Sequence, residues 1–293
     1  MTAAVAVRVR AHAKINLALR VGSLDADGYH ELQTVFQTLE LHDTIVARTV
    51  PGPLTLQCDD PHVPAGPDNL AWRAAESLWR HAGRKGRPRG AALEIRKRVP
   101  MQAGLGGGSS DAAAALAALN ALWRLGLGVA TLSRIGATLG ADVPSFLVGG
   151  TSMGLRRGDD VYPLADAAPF HVVLAFPPLG ILTKDAYGWF DADRSGASDP
   201  AETAGSVELW PGRPLEIAND LAAPVVRRHP EIGLLRTVLR ESGAMVAEMT
   251  GSGSTVFGLF GSETAARRGA AAAAEADAWS LVTRFAARRR TGP

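Results

Sequence analysis

The sequence predicts an α+β protein with two lobes, and three observations support this. Strand-like segments come first, and strands and helices are mixed after them. The residue pattern changes beyond Gly149 and Gly150. Early strands followed by such a mixture are typical of α+β folds. We expect the boundary near residues 151–160, and we assign residues 1–155 to an N-terminal lobe and 156–293 to a C-terminal lobe.

The composition is that of an ordinary globular protein with a nearly balanced charge. The chain has 293 residues, 46% of them hydrophobic, and a net charge of +2, which suffices for one large domain or two smaller ones. Basic residues are scattered, apart from runs at 84–89 and 288–290 that we interpret as a solvated loop and tail. Nucleic-acid-binding proteins more often carry a basic stripe with interleaved aromatic residues, which argues against that class.

Cysteine content and apolar runs indicate a cytoplasmic protein. Cys58 is the only cysteine, which excludes an intramolecular disulfide and a cysteine-based zinc cluster. Arg8 and Arg10 interrupt the apolar N-terminus, so it does not resemble a secretory leader. The longest apolar run, residues 112–119, is far shorter than a membrane span. The sequence leaves the oligomeric state open between a monomer and a weak dimer.

The elements of the first half follow from alternation, turn residues and apolar periodicity. Asp68 stands where a helix N-cap is expected, and the Ala- and Leu-rich helix after the glycine-rich segment is the clearest of the helices. The predicted elements are strands at 5–10, 15–21, 44–49, 54–57 and 91–99, a turn at 25–28, a loop at 83–90, and helices at 68–81, 110–125 and 131–139.

The second half is predicted to mix short strands with helices. Residues 191–214 are rich in Gly, Ser, Asp and Pro, which predicts a long loop or a mobile flap. Pro230 is a break point within an otherwise helical segment. The predicted elements are strands at 171–176, 245–249, 255–260 and 279–285, and helices at 222–240 and 263–277.

A glycine-rich segment between a predicted strand and a predicted helix is the strongest functional signal. Its glycines cost conformational entropy, and backbone close to a ligand would explain them. The free N–H groups and positive dipole at the start of the following helix favour an anion such as a nucleotide triphosphate. The alternative is a flexible loop with Ser110 or Asp111 as N-cap. The segment reads Pro100, Met101, Gln102, Ala103, Gly104, Leu105, Gly106, Gly107, Gly108, Ser109, Ser110, Asp111.

Two familiar nucleotide motifs are excluded here. The segment holds no lysine, which a P-loop requires, and Ser109 stands where the third glycine of a dinucleotide-binding motif would be. Ser109 and Ser110 could donate to phosphate oxygens or help to hold a metal ion. The loop therefore binds phosphate by another scheme.

Three segments in order resemble the motifs of the GHMP kinases. They are residues 14–17 (Lys-Ile-Asn-Leu), residues 100–110, and residues 250–257 (Thr-Gly-Ser-Gly-Ser-Thr-Val-Phe). The resemblance implies a ribosomal-protein-S5-like N-terminal domain and a ferredoxin-like C-terminal domain, with ATP and substrate in the cleft between them. It also implies an enzyme that moves a phosphoryl group from ATP to a hydroxyl. Asp111 departs from the family pattern, in which Asn is common, and could favour a metal or serve as a cap.

Residues 27–34 (Asp-Gly-Tyr-His-Glu-Leu-Gln-Thr) and 140–144 (Gly-Ala-Asp-Val-Pro) resemble one branch of this family. That branch phosphorylates the 2-hydroxyl of a cytidine-diphosphate-linked methylerythritol in the non-mevalonate route to isoprenoid precursors. The resemblance implies the same activity here. Two alternatives stay open: a GHMP kinase for a different alcohol, and a non-catalytic nucleotide or metabolite sensor on the same fold.

The resemblance assigns catalysis to Asp142 and Lys14. Asp142 would orient the acceptor hydroxyl and take its proton, whereas a lone aspartate in a turn is more often simply exposed. Lys14 would keep that carboxylate ionised and stabilise charge on the phosphoryl group. From the strand pattern alone, Lys14 would more often extend its ammonium to solvent.

The remaining candidates bind ligands by resemblance, and each has a structural alternative as a cap, a turn or a core residue. Asn69, Leu70 and Lys97 would contact adenosine. The histidines lack metal-binding spacing, so no protein-held metal is predicted, and Mg²⁺ would arrive with ATP. The substrate-binding candidates are Asn16, Tyr29, His30, Phe36, Thr183, Tyr187, Gly251, Ser252 and Gly253.

Overall fold

The computed structural model describes residues 6–194, 205–210 and 213–288. It confirms an α+β architecture built on two sheets. The larger sheet has eight strands, with the order β3-β4-β2-β1-β9-β8, and β5 and β6 extend it from β2. Its strands are β1 (Ala6–Leu24), β2 (His30–Arg48), β3 (Thr55–Cys58), β4 (Ala92–Arg96), β5 (Thr151–Leu155), β6 (Asp160–Pro163), β8 (Gly205–Trp210) and β9 (Arg213–Asn219).

The smaller sheet has four antiparallel strands in the order β10-β11-β7-β12. Between its first and second strands in the chain lie the helices at 183–194, 222–228 and 230–241 and the β8–β9 hairpin of the larger sheet. One helix, at 263–275, lies between its third and fourth strands. This order and these crossovers are those of a ferredoxin-like fold, as predicted for the C-terminal half. Its strands are β7 (His171–Phe176), β10 (Val246–Met249), β11 (Val256–Phe260) and β12 (Trp279–Arg284).

The helices cover the outer faces of the two sheets. Helices α1, α2 and α3 bury apolar side chains against the larger sheet, and α6, α7 and α8 do the same on the smaller one. The helices are α1 (Leu70–His81), α2 (Gly107–Leu122), α3 (Val129–Ala137), α4 (Val143–Val148), α5 (Thr183–Arg194), α6 (Ala222–Arg228), α7 (Pro230–Glu241) and α8 (Glu263–Glu275).

A third apolar cluster packs the two sheets against each other. Ile15 and Leu17 of β1 are fully buried in it together with Leu174 of β7 and Phe257 of β11. Burial of apolar side chains from both sheets stabilises their contact, at about 25 cal/mol for each Å² removed from water. Apolar side chains from the inner faces of the two sheets therefore form one shared core.

The first two strands are longer than predicted. β1 runs through both predicted segments, and β2 begins at His30, although only residues 44–49 were predicted as strand. The β1–β2 register shifts between His12 and Lys14 and again between Asn16 and Ala18. Such irregularities interrupt strict alternation, which explains why the pattern read as two short strands.

Other differences lie at element ends. The helix after the glycine-rich segment begins at Gly107 and not at Ser110, so Ser110 and Asp111 lie within it and neither is its N-cap. The predicted flap at 191–214 was wrong at both ends, since residues 191–194 complete α5 and residues 205–210 and 213–219 form a hairpin. Its middle lies outside the described residues. The break at Pro230 is confirmed, because α6 ends at Arg228 and α7 begins at Pro230.

Candidate active site

The glycine-rich segment forms a loop that leads directly into α2. Gly106 precedes the helix in a left-handed conformation, with φ 70°, which glycine adopts without steric cost. Two hydrogen bonds anchor the loop from different parts of the fold. The Lys14 amide donates to the Leu105 carbonyl at 3.1 Å, and Thr255 Oγ1 donates to the Ala103 carbonyl at 2.6 Å. The loop is thereby fixed against β1 and β11.

A cavity of about 380 Å³ lies over this loop and the start of α2. The helix start presents free N–H groups and a positive dipole end to it, which suits phosphate. Of the predicted ATP-binding residues, only Ser110 does not line the cavity, because its buried hydroxyl donates to the His12 carbonyl. The predicted residues that line it are Asn69, Leu70, Lys97, Pro100, Met101, Gln102, Ala103, Gly104, Leu105, Gly106, Gly107, Gly108 and Ser109.

Two of these residues also have structural partners. The Asn69 side chain caps α1, since its Oδ1 accepts the Ala71 amide at 2.8 Å. Asn69 therefore replaces Asp68, the predicted cap. The Lys97 ammonium is buried between the carboxylates of Asp43 and Asp111, at 2.5 and 2.9 Å. Asp43 and Asp111 raise the pKa of Lys97 against the opposing effect of burial.

A second cavity of about 280 Å³ adjoins the first, and Gly104 and Gly106 line both. The shared glycines mean that molecules in the two cavities would meet at the loop. The predicted catalytic and substrate-binding residues that line this second cavity are Lys14, Asn16, Phe36, Asp142, Thr183, Tyr187, Gly251 and Ser252.

Lys14 and Asp142 lie together at this junction. The Lys14 Nζ is 3.7 Å from Asp142 Oδ2 and donates to Asn16 Oδ1 at 2.7 Å. Lys14 is nearly buried, whereas the Asp142 side chain is 38% exposed and accessible to a ligand. Strand alternation places Lys14 and Asn16 on the cavity side of β1, with Ile15 in the core.

The turn between β10 and β11 closes the other side of the second cavity. A side chain on Gly251 would lie 3.7 Å from Lys14 Nζ, so the turn passes close to the ammonium. The Ser252 hydroxyl is 3.1 Å from the hydroxyl of Thr183, the first residue of α5. The smaller sheet and α5 thus both contribute to a cavity in which Lys14 comes from β1 and Asp142 from the start of α4.

Three predicted substrate residues do not line this cavity: Tyr29, His30 and Gly253. Tyr29 is 57% exposed, with the Arg157 guanidinium over its ring at 4.1 Å. The His30 ring stacks on Tyr187, with centroids 5.5 Å apart, and its Nε2 lies 3.0 Å from Asp191 Oδ1. His30 therefore supports the cavity from behind Tyr187.

Comparison with known proteins identifies the family. The family model for the GHMP kinases N terminal domain matches residues 69–150, and the model for the GHMP kinases C terminal matches residues 208–278. A 4-diphosphocytidyl-2-C-methyl-D-erythritol kinase from Pelotomaculum thermopropionicum is 40% identical over 94% of this chain and 96% of its own length. The chain belongs to the GHMP kinase family. The resemblance inferred from the motifs is confirmed, as is the two-domain α+β fold.

Other relatives have the same name as the first or share the fold. A protein of the same name from Moorella thermoacetica is 38% identical over 94% of this chain and 97% of its own. The crystal structure of a 4-(cytidine 5'-diphospho)-2C-methyl-D-erythritol kinase superposes with a TM-score of 0.79 at 36% identity, covering 95% and 99% of the two chains. A homoserine kinase from Cytophaga hutchinsonii, at 17% identity and a TM-score of 0.63 over 97% and 95% of the chains, shares the fold.

Several residues that line the cavities were not predicted from the sequence. Leu19, Leu32 and Thr34 come from the stretch of β1–β2 pairing that follows the register shift between Asn16 and Ala18. Arg157 and Gly158 come from the β5–β6 turn, and Val63, Pro64 and Asp68 precede α1. No local sequence pattern marks these positions, because only the pairing of distant strands brings them to the cleft.

Proposed function

We propose that this GHMP kinase transfers the γ-phosphoryl group of ATP to the 2-hydroxyl of 4-diphosphocytidyl-2-C-methyl-D-erythritol, in the non-mevalonate route to isoprenoid precursors. The observation that carries the proposal is the junction of two cavities at Gly104 and Gly106, with the Lys14–Asp142 pair beside it. The names and the high coverage of the relatives support this acceptor.

The nucleotide occupies the first cavity, with its phosphates against the glycine-rich loop and the start of α2. The acceptor occupies the second, with its hydroxyl against Asp142. This carboxylate orients the hydroxyl and takes its proton as oxygen bonds to the γ-phosphorus and the bond to the β–γ bridging oxygen breaks. Lys14 stabilises charge on the transferring group. Positioning and electrostatics account for most of the rate.

Mg²⁺ enters with ATP in this proposal and neutralises phosphate charge. Within residues 6–194, 205–210 and 213–288, no group of three or more His, Cys, Asp or Glu side chains is placed to hold a metal ion. The carboxyl of Asp111, which the sequence offered as a possible metal ligand or helix cap, is paired with Lys97. The absence of a magnesium ligand in the chain stays a prediction.

The predictions about location, partners, oligomeric state and domain boundary are not tested by the structure. None of the helices in the described part of the chain is both long enough and apolar enough to cross a bilayer. The location in the cytoplasm, the absence of a nucleic-acid partner, the oligomeric state and the domain boundary after residue 155 stay predictions.

Coupled ADP release from the purified chain, with ATP, Mg²⁺ and a panel of acceptors, tests the proposed function. The panel contains 4-diphosphocytidyl-2-C-methyl-D-erythritol, mevalonate, homoserine and galactose. We expect turnover with the cytidyl compound alone. Turnover with another alcohol only would indicate a different kinase of the family, and ATP binding without turnover would favour the sensor alternative.

The proposed role of Asp142 has its own test. We expect Asp142→Asn to lower kcat by about 10²- to 10⁴-fold, the usual contribution of a positioned acid or base. Binding of both ligands should persist, because the amide keeps the shape of the side chain. Glu263→Gln is the control, since Glu263 pairs with Arg267 on the exposed face of α8, away from the cleft. Full activity of Asp142→Asn would rule out both the base and the orienting role.

A further inference from the structure

Three charged side chains form a buried cluster beside the nucleotide cavity, separate from the Lys14–Asp142 pair. Lys97 Nζ lies 2.5 Å from Asp43 Oδ2 and 2.9 Å from Asp111 Oδ2. The side chains of Asp43, Lys97 and Asp111 are 0%, 9% and 5% exposed. We call this the Asp43–Lys97–Asp111 cluster. With both carboxyls ionised, one ammonium faces two carboxylates, and the cluster carries a net negative charge.

The two carboxyls of the cluster are not equivalent. Asp43 Oδ1 accepts the amides of Arg98 and Val99, and its Oδ2 accepts the Lys97 ammonium. Asp111 Oδ2 also accepts from Lys97, but Asp111 Oδ1 is buried and has no hydrogen-bond partner among the described residues. A buried ionised oxygen without a partner is costly. Asp111 is therefore the member of the cluster that gains most from binding a proton.

The cluster lies where the nucleotide phosphates are proposed to bind. Lys97 and Asp111 line the same cavity as the glycine-rich loop. Lys97 Nζ is only 3.5 Å from where a side chain on Gly107, the first residue of α2, would begin. A triphosphate at this helix start adds negative charge beside a cluster that is already negative. Like charges repel strongly in a buried environment, so the cluster must become neutral to favour binding.

We propose that Asp111 is a positioning residue for the nucleotide and takes up a proton from solvent when the triphosphate binds. This inference rests on the proposed function, in which this cavity holds ATP. With the proton on Oδ1, the cluster consists of one ammonium and one carboxylate. The Lys97 ammonium then forms an ion pair with Asp43 alone. It stays close to Gly107 at the start of α2.

The electrostatic surroundings of Asp111 agree with this proposal. Burial raises the pKa of Asp111 to about 7, with Asp43 adding to the rise and Lys97 opposing it. Additional negative charge from a nucleotide raises this pKa further, so binding draws a proton near neutral pH. The other titratable groups on elements around Asp111 are Cys58 and Asp59 after β3, Asp68 before α1, and His12 of β1, whose carbonyl accepts the Ser110 hydroxyl.

Calorimetric titration of the full chain with the β,γ-imido analogue of ATP, in saturating Mg²⁺ at pH 7.5, measures both affinity and proton uptake. Buffers of different ionisation enthalpy give the number of protons bound. We expect a fraction of a proton per nucleotide for the wild type and a loss of that uptake in Asp111→Asn. The wild-type Kd should weaken as pH rises from 7 to 9, by about tenfold for each unit by which the nucleotide raises the pKa.

Glu263→Gln is the control, because Glu263 pairs with Arg267 on the exposed face of α8 and lines neither cavity. It should keep the proton uptake of the wild type. Equal uptake in the wild type and in Asp111→Asn would overturn this inference and leave the proposed function intact. A wild type that does not bind the analogue would overturn the proposed function, and this inference with it.

A second measurement needs no variant and covers the case in which Asp111→Asn fails to fold. Carboxyl ¹³C chemical shifts of aspartate-labelled wild type are followed against pH, with and without the analogue. We expect one carboxyl that titrates near neutral pH and moves to higher pH when the analogue is bound. The absence of such a carboxyl, or a midpoint that the analogue leaves unchanged, would overturn the inference.

Discussion

At the scale of single residues, Gly106 occupies a position beside Lys14 where a larger residue does not fit. It adopts φ +70°, and a side chain there would begin 2.6 Å from the Phe146 ring. Contacts this short do not occur in folded proteins, so either the ring or the loop would have to move. Lys14 Cε is 3.4 Å from the same point, so a shift of the loop would also displace the ammonium.

We expect Gly106→Ala to weaken nucleotide binding and to lower kcat by at least about tenfold, since a misplacement of about 1 Å can cost 10²-fold. Gly83→Ala is the matched control, because Gly83 also has φ +70° but a side chain there meets nothing within 4 Å. Both variants carry the backbone strain, and only Gly106→Ala carries the clash. Steady-state kinetics and thermal unfolding distinguish the two effects, and equal behaviour of both variants would contradict the assignment.

Asp111 predicts a pH dependence of stability that needs no ligand. Its folded-state pKa, about 7, lies above the ordinary value of 3.8, so the folded chain binds more protons between these values than the unfolded chain. This contribution to stability is complete below about pH 4 and is lost as pH rises through about 7. Compared with Asp111→Asn, the wild type should lose on the order of 1–4 kcal/mol across this range. Urea unfolding of both proteins from pH 5 to 8 checks this, and parallel profiles would contradict it.

At the scale of elements, α5 extends from the second cavity to the C-terminal helices. Its first turns carry Thr183 and Tyr187, which line the second cavity. Near its end, Asp193 accepts hydrogen bonds from Arg228 and Arg227 of α6, and these lower the pKa of Asp193 to about 2. The helix is thus held at its far end by charged contacts and contributes to the cavity at its near end.

We expect Asp193→Ala to raise the KM for the acceptor about two- to tenfold with a smaller change in kcat, because exposed ion pairs contribute about 0.2–1 kcal/mol each. The KM for ATP should stay unchanged, since α5 does not line the nucleotide cavity. Glu263→Ala, which removes the exposed pair with Arg267 on α8, is the control. An equal rise in both KM values would indicate a general loss of structure instead.

At the scale of the whole molecule, the last described residue, Arg288, forms hydrogen bonds that connect the two lobes. Arg288 was predicted to belong to a solvated tail, and that prediction was wrong. Its guanidinium donates to the main-chain carbonyls of Val148, Gly149, Thr151 and Leu164. These carbonyls follow α4, the helix that begins beside Asp142. Residues 289 and 290 of the predicted tail lie outside the described residues.

We expect Arg288→Ala to lower the free energy of unfolding by about 2–4 kcal/mol, because it leaves several half-buried carbonyls without their charged donor. Arg284→Ala is the control, since Arg284 only forms an exposed pair with Glu40 and should change stability by less than about 1 kcal/mol. Thermal and urea unfolding measure both. A loss no larger for Arg288 than for Arg284 would show that this junction contributes little.

The sequence predicted the local features that depend on neighbouring residues. The glycine-rich loop, the helix after it, the break at Pro230 and the paired strands at the C-terminal turn all follow from residue types a few positions apart. The bulges of β1 could not be predicted, because a register shift depends on the partner strand. Asp43 was missed for a similar reason, since it lies within β2 but directly before the predicted strand at 44–49, and a single aspartate there has no local mark of burial.

The sequence by itself determined the family, the glycine-rich phosphate loop and the identity of the candidate catalytic pair, because each depends on short segments with specific residue types. Only the tertiary structure decided that the two cavities meet at Gly104 and Gly106, that His30 stacks behind Tyr187, and that Lys97 pairs with both Asp43 and Asp111. These contacts join residues far apart in the chain. Their geometry arises from the packing of two sheets on one core, which local patterns do not encode.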